Sequence, residues 1–269
     1  MVFADLHVHT TNSDGTLALP EVPSAAHDAD VGAVAITDHD RLHPDLDDPL
    51  TLVSGVEIVH GIELRVDAGD QELDLLGYGV ERTDDLEREV QRLQDDRVER
   101  ARKIVSLVED ELGVRLEVDF EPGVGRPHVA RAVVANPNTA YDELGPVFDD
   151  LIGDDGPCYV ARQVPDFETG RDLLRDACGL VGLAHPLRYP DPDSALERCE
   201  TLDAVENHYP YDRPVGQAPT DAGRVDDAIE RFDLLGLGGS DAHGRTLGKA
   251  GVDRDTYEIV RRSLPMPPT

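Results

Sequence analysis

A chain of 269 residues with 56 acidic and 25 basic side chains carries a formal charge of −31. That length suits one large α/β domain, or one domain with an insertion. Apolar residues at 39% are enough to bury a core, which excludes disorder as the default state. No apolar run approaches the roughly 20 residues of a spanning helix, and Phe3–His9 reads as a strand rather than a signal peptide. A cytoplasmic protein is therefore expected.

Only Lys103 and Lys249 are lysines; every other basic residue is arginine. With pervasive acid and no Trp, the composition looks like that of a halophilic archaeal cytoplasm, where carboxylates keep a surface hydrated in salt. Repulsion of a polyanionic partner is the alternative, and it weakens where molar salt shortens the Debye length to about 3 Å. Cys158, Cys178 and Cys199 are odd in number and lack C-x-x-C spacing. They point to reduced, buried thiols rather than a zinc knuckle.

Short apolar runs alternate with amphipathic segments, the pattern of βα units around a parallel sheet or barrel. Strands are expected at 2–9, 31–37, 52–57, 60–66, 72–79, 180–185, 203–207 and 234–239. Helices are expected at 18–30, 84–112, 127–135, 141–152, 167–178, 193–200, 220–232 and 254–263. Between Asp84 and Phe167 the pattern turns mainly helical, led by Leu86, Val90, Leu93, Ala101, Ile104 and Val108 at helical spacing. The expected organisation is a barrel over 1–83 and 168–269, with 84–167 a helical insertion packed on it rather than an independent domain. A Pro-rich tail from Leu264 should fray.

The first strand carries the strongest chemical signal. Alternation puts Val2, Ala4, Leu6 and Val8 on one face and Asp5, His7 and His9 on the other. Two imidazoles at i and i+2 can share one metal ion, although alone the pair could equally be a polar strand face. Ser13-Asp14-Gly15 follows, and the second strand ends in Thr37-Asp38-His39-Asp40. Ala184-His185-Pro186 and Gly239-Ser240-Asp241-Ala242-His243 each come after an apolar run. His39, His185, Asp241 and His243 thus sit just past strand C-termini, the face on which parallel barrels build active sites. Buried without partners, such groups would be strongly destabilising, so convergence on metal ions explains them best.

The ordered series His-x-His, Ser-Asp-Gly, Thr-Asp-His-Asp, Gly-x-Glu, Gly-Arg-Pro-His, Ala-His-Pro and Gly-Ser-Asp-x-His, from Asp5 to about Gly248, resembles the PHP (polymerase and histidinol phosphatase) metallophosphoesterases. It is most similar to the branch with a helical insertion that acts on nucleoside 3',5'-bisphosphates and on the 5' ends of short RNA. The resemblance implies an α/β fold, a distorted (βα)7 barrel of the PHP type with a mainly helical insertion, and two to three divalent metal ions. It implies that His7, His9, Glu63 and Asp241 hold one metal. Glu63 would bridge to a second, shared with Asp74 and His185, and Asp14, His39 and His243 would hold a third. Glu63 is preferred to Glu57, which lies in a similar Gly-x-Glu pattern, because its distance to Asp74 matches the family's spacing.

Asp74 departs from the histidine usual in that family. An oxygen donor there favours Mn²⁺ or Mg²⁺ over Zn²⁺, or else leaves the second site weak or empty. Mn²⁺ is the expected ion, with Zn²⁺, Fe²⁺ and Mg²⁺ as alternatives. In the resembling branch, the Arg and His of Gly125-Arg126-Pro127-His128 contact substrate phosphate. Arg126 offers a planar donor fork, and Pro127 suits the start of a helix whose N-terminus favours anions. The competing reading has Arg126 merely paired with one of the many acids. His208 and Arg245 are further candidate contacts, whereas His27, His43 and His60 read as surface residues.

The reaction implied is hydrolysis of a phosphomonoester by a metal-activated hydroxide. His7, His9, Glu63, Asp241 and His128 would be catalytic, with His128 or a metal-bound water protonating the leaving group. The expected substrate is a small phosphorylated molecule, such as a 3',5'-bisphosphonucleotide or a short 5'-phosphorylated oligonucleotide. Aromatics at 4% and basic residues interleaved with acids argue against stable binding of long nucleic acid, and no membrane partner is expected. The alternatives are a 5'-3' exoribonuclease, a metal-dependent amidohydrolase, or a degenerate PHP module whose metals only stabilise the fold. The amidohydrolase reading is weakened because neither lysine stands at a strand end where it could bridge metals.

Overall fold

Two neighbouring apolar runs, Leu50–Val53 and Val56–Ile62, are joined by Ser54-Gly55, both of which adopt positive φ (51° and 84°). Such a two-residue turn reverses the chain into a hairpin. The segments expected as separate strands at 52–57 and 60–66 are therefore β3 (Leu50–Val53) and a long antiparallel partner, β4 (Val56–Asp67). The other strands are β1 (Ala4–Val8), β2 (Ala33–Ile36), β5 (Glu72–Tyr78), β6 (Leu180–Leu183), β7 (Ala204–His208) and β8 (Leu235–Gly238). The computed structural model describes residues 1–211 and 223–265.

The sheet runs β1-β2-β4-β5-β6-β7-β8, with β3 off the path. Along this path pairing is parallel except where β5 lies antiparallel to both β4 and β6. The wholly parallel order suggested by the alternating pattern fails at β5, because 68–71 is too short for a crossover and can only form a hairpin. The path curls until its ends meet: Val8 bridges Ala242 in parallel, and Ala4 bridges Val252. This is a distorted barrel of seven path strands.

The chain divides into two compact units, Met1–Val90 with Val164–Thr269, and Gln91–Gln163. In the first, Ala4, Leu6, Ala33, Val59, Leu76, Tyr78, Ala204 and Leu237 pack with Tyr257 and Val260 of α8 (Arg254–Ser263). The other helices of this unit are α1 (Val22–Asp28), α5 (Phe167–Ala177), α6 (Pro192–Glu197) and α7 (Gly223–Phe232). Asp166 caps α5 by accepting from the Thr169 N–H at 2.8 Å. Helix α2 (Asp84–Leu112) runs from the first unit into the second. There Ile104, Val105 and Val108 pack on Val129, Ala130 and Val133 of α3 (Arg126–Ala135), and on Val147, Leu151 and Ile152.

Several helices are shorter than their periodicity suggests. Pro20 and Pro23 restrict 18–30 to a 3₁₀ turn at Leu19–Glu21 followed by α1. The 141–152 segment is α4 (Leu144–Val147) widening into a π turn over Phe148–Ile152. Residues 193–200 form α6 and a 3₁₀ turn at Arg198–Thr201. Residues 220–222 of the expected 220–232 helix, and most of the Pro-rich tail, lie outside the described residues. The three cysteines are free, and burial pushes the Cys178 and Cys199 thiols up to about 12. His43 and His60, read from sequence as surface residues, are buried. His60 belongs to the barrel wall, opposite Ile36 of β2.

Candidate metal centre

β1 is buried along its whole length, and its polar face points into the space enclosed by the strand ends. Asp5 opens that face and acts as an anchor. Ser240 donates to it through N (2.8 Å) and Oγ (2.6 Å), and Gly248 donates through N (2.7 Å). Both ends of the loop bearing Asp241 and His243 are thereby tied to β1. Asp38 does the same for the first loop, accepting from Thr10 N and Oγ1 (both 2.8 Å) and Ser13 Oγ (2.7 Å). Two glycines allow the close approach: a Cβ on Gly15 would lie 2.4 Å from His9 O, and one on Gly239 would lie 2.2 Å from His7 Cβ. Asp40, His185 and Asp241 take positive φ of 49°, 27° and 48°. That uncommon backbone turns sharply just past the strands.

Glu63 of β4 lies at the centre. Its Oε2 is 2.7 Å from His39 Nδ1 and 3.4 Å from both His7 Nε2 and His9 Nε2, while Oε1 is 3.1 Å from His185 Nε2. Asp241 Oδ1 is 3.1 Å from His9 Nε2 and 3.7 Å from His7 Nε2. Asp14 faces His243 Nε2 at 3.3 Å and His39 Nε2 at 3.9 Å. The His9 ring stacks on His243 with centroids 4.3 Å apart. Three sets of ligand atoms fall within 4.8 Å of one another: His9, Asp14, His39 and His243; His7, His9 and Glu63; and Glu63, Asp74 and His185. Glu57, the alternative to Glu63, instead accepts from Arg261 Nε at 2.9 Å.

Outer contacts orient these side chains. Glu206, on β7, accepts the His185 N–H at 2.7 Å and lies 3.1 Å from His7 Nδ1. The His7 ring is thereby turned so that Nε2 faces Glu63 and Asp241. Tyr209 Oη donates to Asp241 Oδ2 at 2.6 Å, and Arg188 Nη1 reaches the same oxygen at 3.1 Å, which leaves Oδ1 toward His9. Burial alone would raise the carboxylates, but His39 and His7 hold Glu63 well below its usual range, and His7 and His9 do the same for Asp241. Both are anionic. Burial, with His39 beside it, lowers His9 and keeps it a neutral donor.

Among the described residues, His7 Nε2, His9 Nδ1 and His185 Nδ1 are buried here with no hydrogen-bond partner, and Glu63 Oε2 and His9 Nε2 have only ion-pair neighbours, His39 Nδ1 at 2.7 Å and Asp241 Oδ1 at 3.1 Å. Buried polar atoms are almost always satisfied, so this concentration marks a place shaped for something the polypeptide does not supply. Imidazole and carboxylate donors suit divalent cations. Asp74 is set apart, because Arg65 grips both of its carboxylate oxygens.

No family model matches the chain. A 3',5'-nucleoside bisphosphate phosphatase of Chromobacterium violaceum is 27% identical over 206 residues, covering 74% of this chain and 72% of its own. A 5'-3' exoribonuclease of Haemophilus influenzae is 27% identical over 199 residues, 69% of each chain. These relatives support the resemblance to the PHP phosphoesterases that the ordered motifs carry. A solved structure from Bifidobacterium adolescentis, named for metal-dependent phosphoesterase chemistry, matches with a TM-score of 0.78 at 22% identity, over 99% of this chain and 98% of its own. The fold is thus shared along almost the full length.

The first unit brings His7, His9, Asp14, His39, Glu63, Asp241, His243 and His185 together, with Asp74 beside His185 at 3.7 Å. Arg126 and His128 belong to the second unit. There Arg126 Nη1 donates to Asp154 Oδ1 at 2.6 Å, and Gly125 N donates to His128 Nδ1 at 3.2 Å, which leaves the neutral ring's proton on Nε2. His208 is exposed, and Arg245 pairs with Glu21 on the surface, so neither joins the clusters. Sequence reading assigned no role to Glu206, Arg188, Tyr209, Asp38 or Arg65. Glu206 does carry a signal, as an acidic side chain within the short strand β7.

Proposed function

We propose that the chain is a metal-dependent phosphoesterase that hydrolyses the phosphomonoester of a small nucleotide, such as a 3',5'-bisphosphonucleotide, or of a short 5'-phosphorylated oligonucleotide. The observation that carries this reading is the set of buried imidazole and carboxylate atoms without hydrogen-bond partners around Glu63. Divalent cations, Mn²⁺ foremost, would be held by His7, His9, Glu63 and Asp241, and by Asp14, His39 and His243. Bound there, they supply a nucleophile from water at neutral pH and offset charge on the phosphoryl oxygens.

The chain's own residues do the rest. Glu206 fixes the His7 ring, and Tyr209 with Arg188 fixes Asp241, so the donor atoms need no rearrangement when substrate arrives. Arg188 is partly exposed beside Asp241, whereas the Arg126 guanidinium is paired with Asp154 within the second unit. The relatives' names support a nucleotide or an RNA end as the substrate class.

The test is phosphate release from p-nitrophenyl phosphate with Mn²⁺, followed by a panel of 3',5'-bisphosphonucleosides, 5'-phosphorylated RNA and histidinol phosphate. Turnover that is lost in EDTA and in His9→Ala is expected. Hydrolysis of an amide, with no phosphate ester turned over, would replace this reading by the amidohydrolase one.

A further inference from the structure

Arg65 and Asp74 stand directly opposite each other in the antiparallel β4–β5 pair, so their side chains share a face. Arg65 also shares that face with Glu63, two residues away on the same strand. Its guanidinium makes a fork on Asp74: Nε donates to Oδ1, and Nη2 donates to Oδ2 at 2.8 Å. Nη1 turns to Glu72 Oε2 at 3.1 Å. The backbone is held as well, since Arg65 N donates to Asp40 Oδ1 at 2.8 Å and Asp74 N donates to Tyr189 Oη at 2.8 Å.

All three guanidinium nitrogens therefore engage carboxylates, and both Asp74 oxygens already face a permanent cation. The oxygen nearest His185 Nε2, Oδ2 at 3.7 Å, is one of the two that Arg65 holds. A divalent ion drawing on that oxygen would lie against a fixed positive charge in a site with little water to screen it. Asp241 makes the contrast. Arg188 meets it through Oδ2, and Oδ1 stays turned to His9.

We propose that the Arg65 guanidinium takes the place of a metal ion at the Glu63–Asp74–His185 corner, so that the chain holds two divalent cations and carries the third positive charge as part of its own backbone-anchored structure. This rests on the phosphoesterase reading above and specifies its metal content. Asp74 is then the counter-ion of Arg65 rather than a metal ligand, and His185 serves Glu63 alone. The corner is charged at any metal concentration, so full activity needs two equivalents of metal and no more.

Metal-stripped protein is titrated with Mn²⁺, and bound metal is counted by equilibrium dialysis with elemental analysis. Two ions per wild-type chain are expected, and Asp74→Asn should still bind two. Arg65→Met leaves Asp74 buried without its cation, and the double variant Arg65→Ser/Asp74→His removes the fixed charge and restores a neutral donor. Whichever of these folds, by circular dichroism, should bind a third ion. Three ions in the wild type with one lost in Asp74→Asn would overturn the proposal while leaving the phosphoesterase reading intact. Two ions in every variant would also overturn it, because Arg65 would then exclude nothing. No bound metal in the wild type would sink both.

Discussion

The two sides of Glu63 are built from similar parts and differ in what answers the carboxylate. Toward β1, Glu63 and Asp241 face His7 and His9, and Asp14 faces His39 and His243. Of these, His7 and His9 keep buried ring nitrogens with no hydrogen-bond partner. Toward β5, a carboxylate of the same type is spent on a guanidinium from the neighbouring strand. Proximity of acids and imidazoles is thus not sufficient for a metal site. What matters is whether the donor atoms already have a cation, and one arginine at a cross-strand position is enough to change the answer.

The sharpest way to break this contrast is to damage the β1 side. His9 belongs to two of the three clusters, so His9→Ala should lower phosphate-ester turnover by at least about 1,000-fold, measured as kcat/KM with Mn²⁺. A variant within tenfold of wild type would show that β1 does not carry the chemistry. Next in size, Asp5→Asn turns an amide donor toward the Ser240 and Gly248 donors and frees the loop bearing Asp241. A loss of about 3 kcal/mol in unfolding free energy is expected by denaturant titration, together with weakened metal binding. Stability unchanged within error would mean that the loop is held by something else.

Smaller effects sharpen the picture. Glu206→Gln keeps the shape but removes the charge that orients His7, and it should weaken Mn²⁺ by about 10- to 100-fold in calorimetry. Mn²⁺ affinity equal to wild type would remove Glu206 from the account. A pH effect comes from the barrel wall. Burial, then the neighbouring Arg82 and His43, depresses His60 from 6.5 to about 3, so the folded chain keeps the ring neutral. The unfolded chain takes up a proton below its ordinary pKa, and stability is therefore lost as pH falls from about 6.5 toward 3. His60→Phe should reduce that slope by roughly 1.4 kcal/mol per pH unit between pH 6 and 4, read from paired urea titrations.

What could be read from the sequence, and what could not, follows from the range of the interactions involved. His7 and His9 are fixed by the period of one strand, and His39, His185, Asp241 and His243 by their place after an apolar run; each is a local property. Arg65 against Asp74 depends on register between two strands, which no local pattern states. The same limit hid the Glu206–His7 and Asp38–Thr10 bonds, each of which joins residues far apart in sequence. It also led to His43 and His60 being read as surface residues, since an isolated imidazole carries no periodicity of its own. The β3–β4 reversal was written in Ser54-Gly55, but an unbroken apolar tone on both sides suggested two strands of one parallel sheet.

The claim beneath all of this is that the orphaned donors around Glu63 exist to hold metal. Diffraction from a crystal soaked in manganese, collected at the manganese absorption edge, tests it directly. Anomalous peaks are expected beside Glu63 among His7, His9 and Asp241, and among Asp14, His39 and His243. The same side chains ordered as described, with no anomalous density between them, would contradict the account.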